Sequence, residues 1–511
     1  MPSSKVIVIG AGMGGLIASV LLAARGMDVT IVERESAVGG KMRRVDVAGR
    51  SIEAGPTVLT MRPTFDHILD EAGLTLDTLV SLRRADLLAR HAWSETERLD
   101  LFADAGQTAD AVGRFAGASA ARGFLEFSAH AQAVHHTMDP LFMQCERPTL
   151  AGMVKTAGLS GLKGLWTAAP FTTLWNLLGR YFPDPRLRQL FARYATYCGS
   201  SPFLAPATLA LIAAVEQQGV WLIDGGMSAL AAALAGAAVS LGAKCRLDTE
   251  VSRILVSGGR ARGVELASGE RLDAHAVVYN GDVGALHGGL LGSAVASATA
   301  PSSSDPRSLS ALTWMLLAKP AGFPLAHHNV FFSRDYRAEF DDILQQGRAP
   351  LDPTVYVCAQ DRSDLGEAGT AGGERMLIIV NAPADDGRSM RRREDWRACR
   401  ARMMQTLERC GLTIEVEAAT QAGPLELAQL YPGTRGAIYG MASHGWSASF
   451  RRAGVRSAIP GLFLAGGSVH PGAGMPMAAL SGRAAAQAVM TDLPSIYRSH
   501  PAATPGGTST R

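Results

Sequence analysis

The fold is decided by the stretch at positions 5–33, which reads KVIVIGAGMGGLIASVLLAARGMDVTIVE. Four of its first five residues are apolar and β-branched, which is typical of a parallel strand buried on both faces. A glycine turn follows, then an apolar stretch of helical periodicity that Gly26 ends, and then a second strand at 28–32. This order of strand, turn, helix and strand predicts a Rossmann βαβ unit.

The glycine turn has the spacing of a dinucleotide-binding loop. Gly10, Gly12 and Gly15 fit G-x-G-x-x-G. The first glycine permits the tight turn, the second lets the backbone approach a pyrophosphate, and the third lets helix and strand pack closely. Glu33 ends the second strand, where its carboxylate can bind both ribose hydroxyls and would repel the 2′-phosphate of NADP. A glycine turn that binds no nucleotide is the alternative.

The segment after Glu33 separates FAD from NAD. Positions 33–41 read E-x5-G-G-K, and the sequence AGPT follows at 54–57. This combination resembles the flavin amine oxidase and carotenoid desaturase superfamily. The resemblance implies that Gly39 and Gly40 pass close to the adenosine and pyrophosphate, and that Lys41 or Arg43 offsets phosphate charge. A solvated loop is the alternative for these two cations.

The same resemblance places two further segments against the cofactor. It implies that Gly55, Pro56 and Thr57 lie near the flavin ring. It also implies that the strand expected over residues 245–255, which contains Val251, contributes backbone contacts to the adenine.

The end of the chain supplies a second glycine-rich turn. Residues 461–477 read GLFLAGGSVHPGAGMPM, a strand that runs into glycines and then into a helix of small residues. Pro476 near the first turn is a favourable helix start, and the helix would direct its free N–H groups at the flavin. Many related flavoenzymes carry an acid where Ser468 stands, so backbone amides must replace that acid. The predicted contacts here are Gly466, Gly467, Gly474, Met475, Pro476 and Met477.

From about residue 4 to 492 the chain resembles the bacterial carotenoid desaturases of the phytoene desaturase type. The resemblance rests on AGPTVLT at 54–60, FPDPRLRQLFARYATYCGSSPFLAPATL at 182–209 and the C-terminal turn. Residues 194–201 and 467–471 look most like the branch of 1-hydroxycarotenoid 3,4-desaturases, which includes the hydroxyneurosporene and methoxyneurosporene desaturases. The resemblance implies an FAD-dependent enzyme that desaturates an acyclic 1-hydroxylated carotenoid at the 3,4 position, with hydride transfer to flavin N5.

Three alternatives to that activity share the fold. They are a phytoene desaturase, a flavin-dependent carotenoid isomerase and, more distantly, a lipid-binding escort without catalysis. Desaturation needs a substrate aligned with the flavin, a site without water and a route for one proton. We therefore expect no catalytic triad and assign no catalytic residue. His470 and His444 are weak candidates for the proton acceptor, since a histidine beside a Gly/Pro turn is more often structural.

Composition excludes several other classes of protein. Hydrophobic residues make up 47% of the chain and charged residues 19%, as in a folded protein with a large core. The formal net charge of +3 and the lack of a basic aromatic patch predict no nucleic-acid partner. Six scattered cysteines have no metal-binding spacing, so we predict free thiols and no metal.

The chain is expected to act at a membrane surface without crossing it. We find no signal peptide and no apolar run of the roughly 20 residues that span a bilayer. Aromatic and basic residues in 159–182 suit a segment that enters a lipid interface, although a buried helix pair explains them equally well. We therefore expect a cytoplasmic protein associated peripherally with the inner membrane. Its partners would be a hydrophobic carotenoid and an electron acceptor, either oxygen or a quinone.

The predicted fold class is α/β (α+β overall). It comprises a Rossmann-like FAD-binding domain assembled from discontinuous segments, a mixed-sheet substrate domain and a helical region able to contact a membrane. The corresponding ranges are 1–84, 219–300 and 435–495 for the FAD-binding domain, 85–218 for the helical region, 301–434 for the substrate domain, and 496–511 for a disordered tail.

Overall fold

The computed structural model describes residues 4–149, 152–153, 155–156, 169, 171–299, 306–367, 373–384 and 393–493. Part of the segment at 159–182, most of the Pro- and Ser-rich stretch at 301–306 and the tail predicted at 496–511 lie outside the described residues.

The strands set the architecture, and most of them are short. In chain order they are β1 (Lys5–Ile9), β2 (Asp28–Val32), β3 (Arg44–Val47), β4 (Arg50–Glu53), β5 (Leu59–Thr60), β6 (Leu82–Arg84), β7 (Leu87–Ala92), β8 (Arg98–Phe102), β9 (Val220–Ile223), β10 (Lys244–Arg246), β11 (Val251–Ser257), β12 (Arg260–Leu266), β13 (Arg271–Asp273), β14 (Ala276–Tyr279), β15 (Ser310–Ala321), β16 (His328–Phe331), β17 (Val355–Ala359), β18 (Glu374–Ala382), β19 (Thr413–Ala422) and β20 (Leu462–Leu464).

The helices cover the sheets and form a layer of their own. In chain order the α-helices are α1 (Met13–Ala24), α2 (Arg62–Asp70), α3 (Leu76–Leu79), α4 (Ala105–Ala116), α5 (Ala118–Met138), α6 (Leu174–Leu178), α7 (Pro185–Ala192), α8 (Leu211–Gln218), α9 (Met227–Ser240), α10 (Val283–His287), α11 (Tyr336–Leu344), α12 (Arg393–Arg409), α13 (Pro424–Leu430), α14 (Ala448–Arg451) and α15 (Met475–Asp492). Short 3₁₀ segments span Arg193–Cys198, Ala207–Ala210 and Ser293–Val295, and a π-helical turn spans Asp139–Met143.

A five-stranded sheet contains both ends of the described chain. Its order is β10-β2-β1-β14-β20, and every neighbouring pair is parallel. The inner strands carry apolar side chains on both faces, as expected of a parallel sheet that is covered. Helix α1 lies on the sheet and packs against α15 and α9. The βαβ prediction is confirmed, and the C-terminal strand lies two strands from β1.

One strand prediction is wrong. The single strand expected over 245–255 is two strands, β10 and β11, separated by a turn in which Asp248 has φ +49°. The first joins the five-stranded sheet and the second pairs antiparallel with β12 in a separate three-stranded sheet. The apolar sequence is continuous enough to suggest one strand, but the left-handed turn breaks it.

The second large sheet has seven strands in the order β19-β15-β18-β17-β16-β7-β8. It contains β15 to β19 from the range predicted as a mixed-sheet substrate domain, and β7 and β8 join it from residues 87–102, within the range predicted as helical. One face packs against α12, and the other faces the β3–β4 hairpin and the helical layer. The mixed sheet confirms the α/β (α+β) fold class, while the division into domains stays a prediction.

The helical layer is formed mainly by α4 to α8. Its core is aromatic, and Phe127, Phe182 and Phe191 pack with ring centroids 4.7–5.4 Å apart. Among the described residues, we find no helix whose length and apolar character would let it cross a bilayer.

Candidate active site

The glycine turns from the two ends of the chain meet at one edge of the five-stranded sheet. Gly10 follows β1, Asn280 follows β14, and Gly466 lies just beyond β20. These strands are parallel neighbours, so their carboxyl ends open into a common crevice, which is where open α/β sheets bind ligands.

Asn280 lies between the two turns. Its side-chain amide donates to the carbonyl oxygen of Gly10 over 3.1 Å. A Cβ atom on Gly466 would lie 2.9 Å from Asn280 Oδ1, and one on Gly12 would lie 2.9 Å from Asn280 Nδ2. The sequence analysis did not identify this role, because nothing in the local pattern shows which strands become neighbours.

The first turn has no room for side chains. Gly10 has φ +94°, and a Cβ atom at Gly15 would overlap the carbonyl oxygen of Gly10. A Cβ atom at Gly14 would lie 2.8 Å from the amide nitrogen of Gly466, so α1 and the C-terminal turn approach backbone to backbone. The spacing of the glycines therefore has the steric cause expected from the sequence.

Glu33 lies directly after β2 and is buried. Its Oε2 accepts a hydrogen bond from the amide of Ala11 over 2.6 Å, and its Oε1 accepts one from the amide of Glu35 over 3.0 Å. Both bonds hold the carboxylate at the mouth of the first turn. A carboxylate has about four lone-pair sites, so acceptor capacity remains for ribose hydroxyls.

The second glycine pair lies against the first turn. Gly39 donates its amide to the carbonyl of Ala11 over 2.8 Å and forms a parallel bridge with Gly12. Gly40 follows with φ +58°, and a Cβ there would lie 3.3 Å from Gly12 Cα. This pair therefore lies beside the first turn, and its predicted proximity to the adenosine and pyrophosphate stays a prediction.

Lys41 and Arg43 are not isolated in a solvated loop. Lys41 Nζ donates to the carbonyl of Ile438 and lies 5.3 Å from the centre of the Tyr431 ring. Burial lowers the pKa of Lys41, an effect that the charge of Asp282 partly opposes. Arg43 is hydrogen-bonded to Tyr431. Both cations thus connect the Gly39–Gly40 loop to the segment that precedes the C-terminal turn.

Gly55, Pro56 and Thr57 lead from this loop toward the seven-stranded sheet. A Cβ on Gly55 would overlap the carbonyl oxygen of Lys41. Thr57 Oγ1 is hydrogen-bonded to Tyr356 Oη over 2.8 Å, and Pro56 and Thr57 keep part of their surface exposed. Val251, in contrast, begins β11 and is buried in the core beside the five-stranded sheet.

The C-terminal turn is held by side chains that the sequence analysis did not single out. Gly466 donates its amide to Ser481 Oγ over 2.8 Å. Arg452 is buried and donates to the carbonyls of Gly467, Tyr439 and Met441. Burial lowers the pKa of Arg452, and the groups of Cys198 and Asp282 oppose that effect.

Ser468 has a structural role in place of the missing acid. Its hydroxyl accepts from the amide of Val283 and donates to the carbonyl of Gly281, each over 3.2 Å. Gly474 has φ +102° and precedes α15, and a Cβ there would meet nothing within 4 Å. The first turn of α15 then contains Met475, Pro476 and Met477, with the proline where it was expected.

Residues 13–490 match the family described as flavin containing amine oxidoreductase. The chain belongs to this family. The match includes α1, α15 and nearly everything between them. The predictions of a flavin cofactor and of an FAD-dependent oxidoreductase are thereby confirmed.

Two relatives of high sequence identity indicate the branch of the family to which the chain belongs. The hydroxyneurosporene desaturase of Rubrivivax gelatinosus is 50% identical over 99% of this chain and 97% of its own length. The hydroxyneurosporene desaturase of Cereibacter sphaeroides is 46% identical over 97% of this chain and 99% of its own. This flavin-containing oxidoreductase therefore belongs with the bacterial carotenoid desaturases, as the sequence motifs predicted.

Solved structures agree on the fold. An oxidoreductase from Methanosarcina mazei superposes with a TM-score of 0.59 at 17% identity, covering 95% of this chain and 100% of that one. At this level of identity the likeness concerns the architecture alone.

The residues of this flavin-containing oxidoreductase fit FAD. Two glycine turns form a cradle that Cβ atoms would fill, and α1 and α15 begin at it with free N–H groups for phosphate and flavin oxygens. Glu33 supplies an acceptor for the ribose at the correct strand end. The chemistry of the donors and acceptors therefore matches a dinucleotide.

The two histidines considered as bases differ in their environment. His444 Nε2 accepts from the amide of Ser201 over 3.2 Å. His470 Nε2 lies 2.9 Å from the carbonyl of Phe142, and its buried Nδ1 has no partner among the described residues. Burial lowers the pKa of each to about 4. Both imidazoles are therefore neutral at pH 7, and His470 has a buried nitrogen without a partner among the described residues.

Three potential metal ligands come together on the seven-stranded sheet. His327, His328 and Cys358 offer atoms within 4.8 Å of one another. Burial raises the pKa of the Cys358 thiol to about 12, which disfavours the thiolate that binds metals. His327 is already hydrogen-bonded to the carbonyl of Arg362. We assign no metal to this group, and the prediction of no metal stays a prediction.

Proposed function

We propose that this protein is an FAD-dependent desaturase that removes two hydrogens from an acyclic carotenoid with a hydroxyl on carbon 1, forming the 3,4 double bond. The observation that carries the proposal is the meeting of the two glycine turns around Asn280. It supports one extended cofactor site built from opposite ends of the chain. The hydroxyneurosporene desaturases to which the chain is similar support the substrate class.

In this proposal the cofactor contacts are those predicted from the sequence. Glu33 binds the ribose, and the amides of α1 bind the pyrophosphate. The first turn of α15 and Gly474 face the flavin, whose N5 accepts a hydride when FAD is bound. Arg452 holds a positive charge beside the Gly467 carbonyl, where it would stabilise negative charge at this turn.

A row of aromatic side chains supports a route by which an apolar substrate could enter. Phe171 is 80% exposed and lies 5.6 Å from Trp446, ring centre to ring centre. Trp446 contacts Phe450, which contacts Phe142, which lies 4.8 Å from His470 in the C-terminal turn. We infer that the exposed end contacts the inner membrane peripherally and that the carotenoid enters along this row.

Product analysis tests the activity directly. The purified protein should contain FAD, and its flavin absorbance should bleach when 1-hydroxyneurosporene in liposomes is added anaerobically. The product should be lighter by two hydrogens. An unchanged mass would indicate an isomerase, and preferred turnover of phytoene would indicate the other desaturase. A protein that folds without taking up FAD would overturn the proposal and favour the escort.

Two further measurements test the membrane and the electron acceptor. Replacing Phe171 by Ser should reduce sedimentation with liposomes while leaving the unfolding midpoint unchanged, because this ring is mostly exposed. Equal sedimentation of the two proteins would refute the proposed contact. After anaerobic reduction, the rates of flavin reoxidation by oxygen and by a membrane quinone identify the acceptor.

A further inference from the structure

Buried polar atoms without partners collect around Arg193. Among the described residues, the unpartnered buried atoms include Arg193 Nε, His91 Nε2, His328 Nε2 and Tyr336 Oη. Burial and then the charge of Arg193 lower the pKa of His91 to about 3. Burial, His327 and Arg193 lower the pKa of His328. The guanidinium thus lies within electrostatic reach of both imidazoles. Phe332 stacks on His91 with ring centres 5.9 Å apart and lies 6.5 Å from the Tyr336 ring, so these groups belong to one region.

The strands explain why the side chains converge. Val330 of β16 is opposite Tyr356 of β17 and His91 of β7, and His328 lies two residues before Val330. Residues two apart on a strand, and residues directly opposite across a pair, share a face of the sheet. His91, His328 and Tyr356 therefore project from one face, the face that packs against the helical layer.

The helical layer supplies the opposite wall. Arg193 Nη2 donates to Tyr197 Oη over 2.8 Å. Glu216 fixes this wall by accepting from Tyr197 Oη over 2.7 Å and from Tyr194 Oη over 2.6 Å. These bonds hold Arg193 but leave its Nε free of any partner in the described part of the chain. We call Arg193, His91, His328, Tyr336 and Tyr356 the polar pocket.

Three side chains at the polar pocket are only partly buried. Arg193, Tyr197 and Tyr356 each keep accessible surface. Burial nevertheless raises the pKa of Tyr197 and the pKa of Tyr356, so little bulk water surrounds these groups. Protein atoms therefore do not cover these three side chains completely, although their surroundings are poorly hydrated.

Unpartnered buried polar atoms destabilise a fold, and several in one region can be satisfied by a polar group of a ligand. A carotenoid offers almost none, but a hydroxyl provides one donor and two acceptor sites. Arg193 Nε–H can donate to such a hydroxyl. His328 Nε2 can accept from it when Nδ1–H bonds Tyr356 Oη, from which Nδ1 is 2.8 Å away.

We propose that the polar pocket binds the hydroxyl on carbon 1 of the substrate and makes the enzyme selective for hydroxylated carotenoids. This inference rests on the proposed function. The hydroxyl oxygen is about 4 Å from carbon 3, since one C–O and two C–C bonds separate them. A pocket that holds the hydroxyl therefore also fixes the position of the bond to be oxidised.

The polar pocket is connected to the predicted flavin side of the site. Tyr356 Oη bonds His328 on one side and Thr57 Oγ1 on the other, each over 2.8 Å. Thr57 belongs to the segment that the family resemblance places near the flavin ring. The hydrogen-bonded row from Thr57 to His328 is short. Carbon 1 beside His328 and the reacting bond near Thr57 can therefore occupy adjacent positions.

The test compares 1-hydroxyneurosporene with 1,2-dihydroneurosporene, which lacks only the hydroxyl. Wild-type protein should prefer the hydroxylated substrate by about 100-fold or more in kcat/KM. His328→Phe should reduce this preference about 10- to 100-fold by slowing the hydroxylated substrate alone. Its unfolding midpoint should fall only slightly, because Nε2 has no partner and Tyr356 Oη, which loses the bond to Nδ1, keeps its bond to Thr57.

A binding measurement keeps the test independent of turnover. The shift of polyene absorbance gives Kd for each carotenoid on the flavin-reduced holoenzyme, which cannot desaturate. Arg193→Met should weaken binding of the hydroxylated carotenoid about 10-fold or more while leaving the binding of 1,2-dihydroneurosporene unchanged. His67→Gln, an exposed histidine far along the chain from the polar pocket, is the control and should keep the wild-type preference.

The outcomes separate the two ideas. A wild-type protein that desaturates neither carotenoid would refute the proposed function. A wild-type preference that survives both substitutions would refute only the polar pocket. An equal loss for both substrates, with a lower unfolding midpoint, would show that these residues serve the fold and would likewise overturn the inference.

Discussion

The two large sheets prepare their ligand sites in different ways. The five-stranded parallel sheet uses backbone at strand ends, with glycines at Gly10, Gly15 and Gly466 that exclude side chains. The seven-stranded sheet uses side chains on its face, such as His328 and Tyr356, which come from different strands. The first arrangement suits a cofactor with charged phosphates, and the second suits an apolar substrate with a single polar group.

This difference predicts how the protein should respond to a substitution at each of the two sites. Around the cofactor a single added methyl group displaces backbone, so the response is steric and severe. Around the substrate the groups can be exchanged for carbon without a clash, so the response is chemical and selective. Four predictions test this contrast, in order of decreasing effect.

Gly15→Val should give the largest loss. Its Cβ would overlap the Gly10 carbonyl, so the first turn must move. We expect a loss of about 3 kcal/mol in the free energy of unfolding and no retained FAD, measured by urea unfolding and the flavin-to-protein ratio. Gly236→Ala in α9 is the control, because its Cβ meets nothing and should stabilise the protein by about 0.5–1 kcal/mol. A flavin-loaded Gly15→Val protein would contradict the steric account.

Glu33→Arg should weaken FAD binding about 100-fold or more, measured by titrating the apoprotein with FAD. The substitution removes the acceptor for the Ala11 and Glu35 amides and for the ribose hydroxyls. Glu33→Gln, which keeps one oxygen acceptor, should fall between wild type and Glu33→Arg. Equal affinities of the three proteins would show that the ribose lies elsewhere.

Glu339→Gln tests a buried acid beside the seven-stranded sheet. Burial raises the pKa of Glu339 to about 7, although hydrogen bonds from Thr354 and Ser333 oppose this effect. The folded state therefore binds the proton more tightly than the unfolded state. The free energy of unfolding of the wild type should fall as pH rises from about 4.5 to 7, by about 2–3 kcal/mol relative to the variant. Urea unfolding at pH 5 and pH 8 measures the difference, and parallel pH profiles would contradict it.

Asn280→Ala should have the smallest effect of the four. It removes the hydrogen bond to the Gly10 carbonyl but creates no clash, so we expect a loss of about 1 kcal/mol in the free energy of unfolding. FAD affinity should fall by less than in Glu33→Arg. A larger loss than in Gly15→Val would reverse the proposed order of steric and hydrogen-bonding effects.

Much of the part of the candidate site that would bind the nucleotide was predictable, because its residues lie close together in the sequence. The spacing of Gly10, Gly12, Gly15 and Glu33 lies within one βαβ unit, where neighbouring residues in sequence become neighbours in space. The strand over 245–255 was predicted wrongly, since hydrophobicity does not reveal the left-handed turn at Asp248. The roles of Arg452, Ser468 and Asn280 were missed because each bonds residues that are distant in sequence.

The sequence by itself determined the Rossmann unit, the family and the cofactor, since backbone geometry at a glycine turn depends on a few adjacent residues. The tertiary structure alone decided that β14 separates β1 from β20, and that Arg193 faces His91, His328 and Tyr356. The physical reason is that sheet order and the packing of a helical layer on a sheet depend on the burial of many apolar side chains together. No short pattern of residues encodes which polar groups this packing encloses.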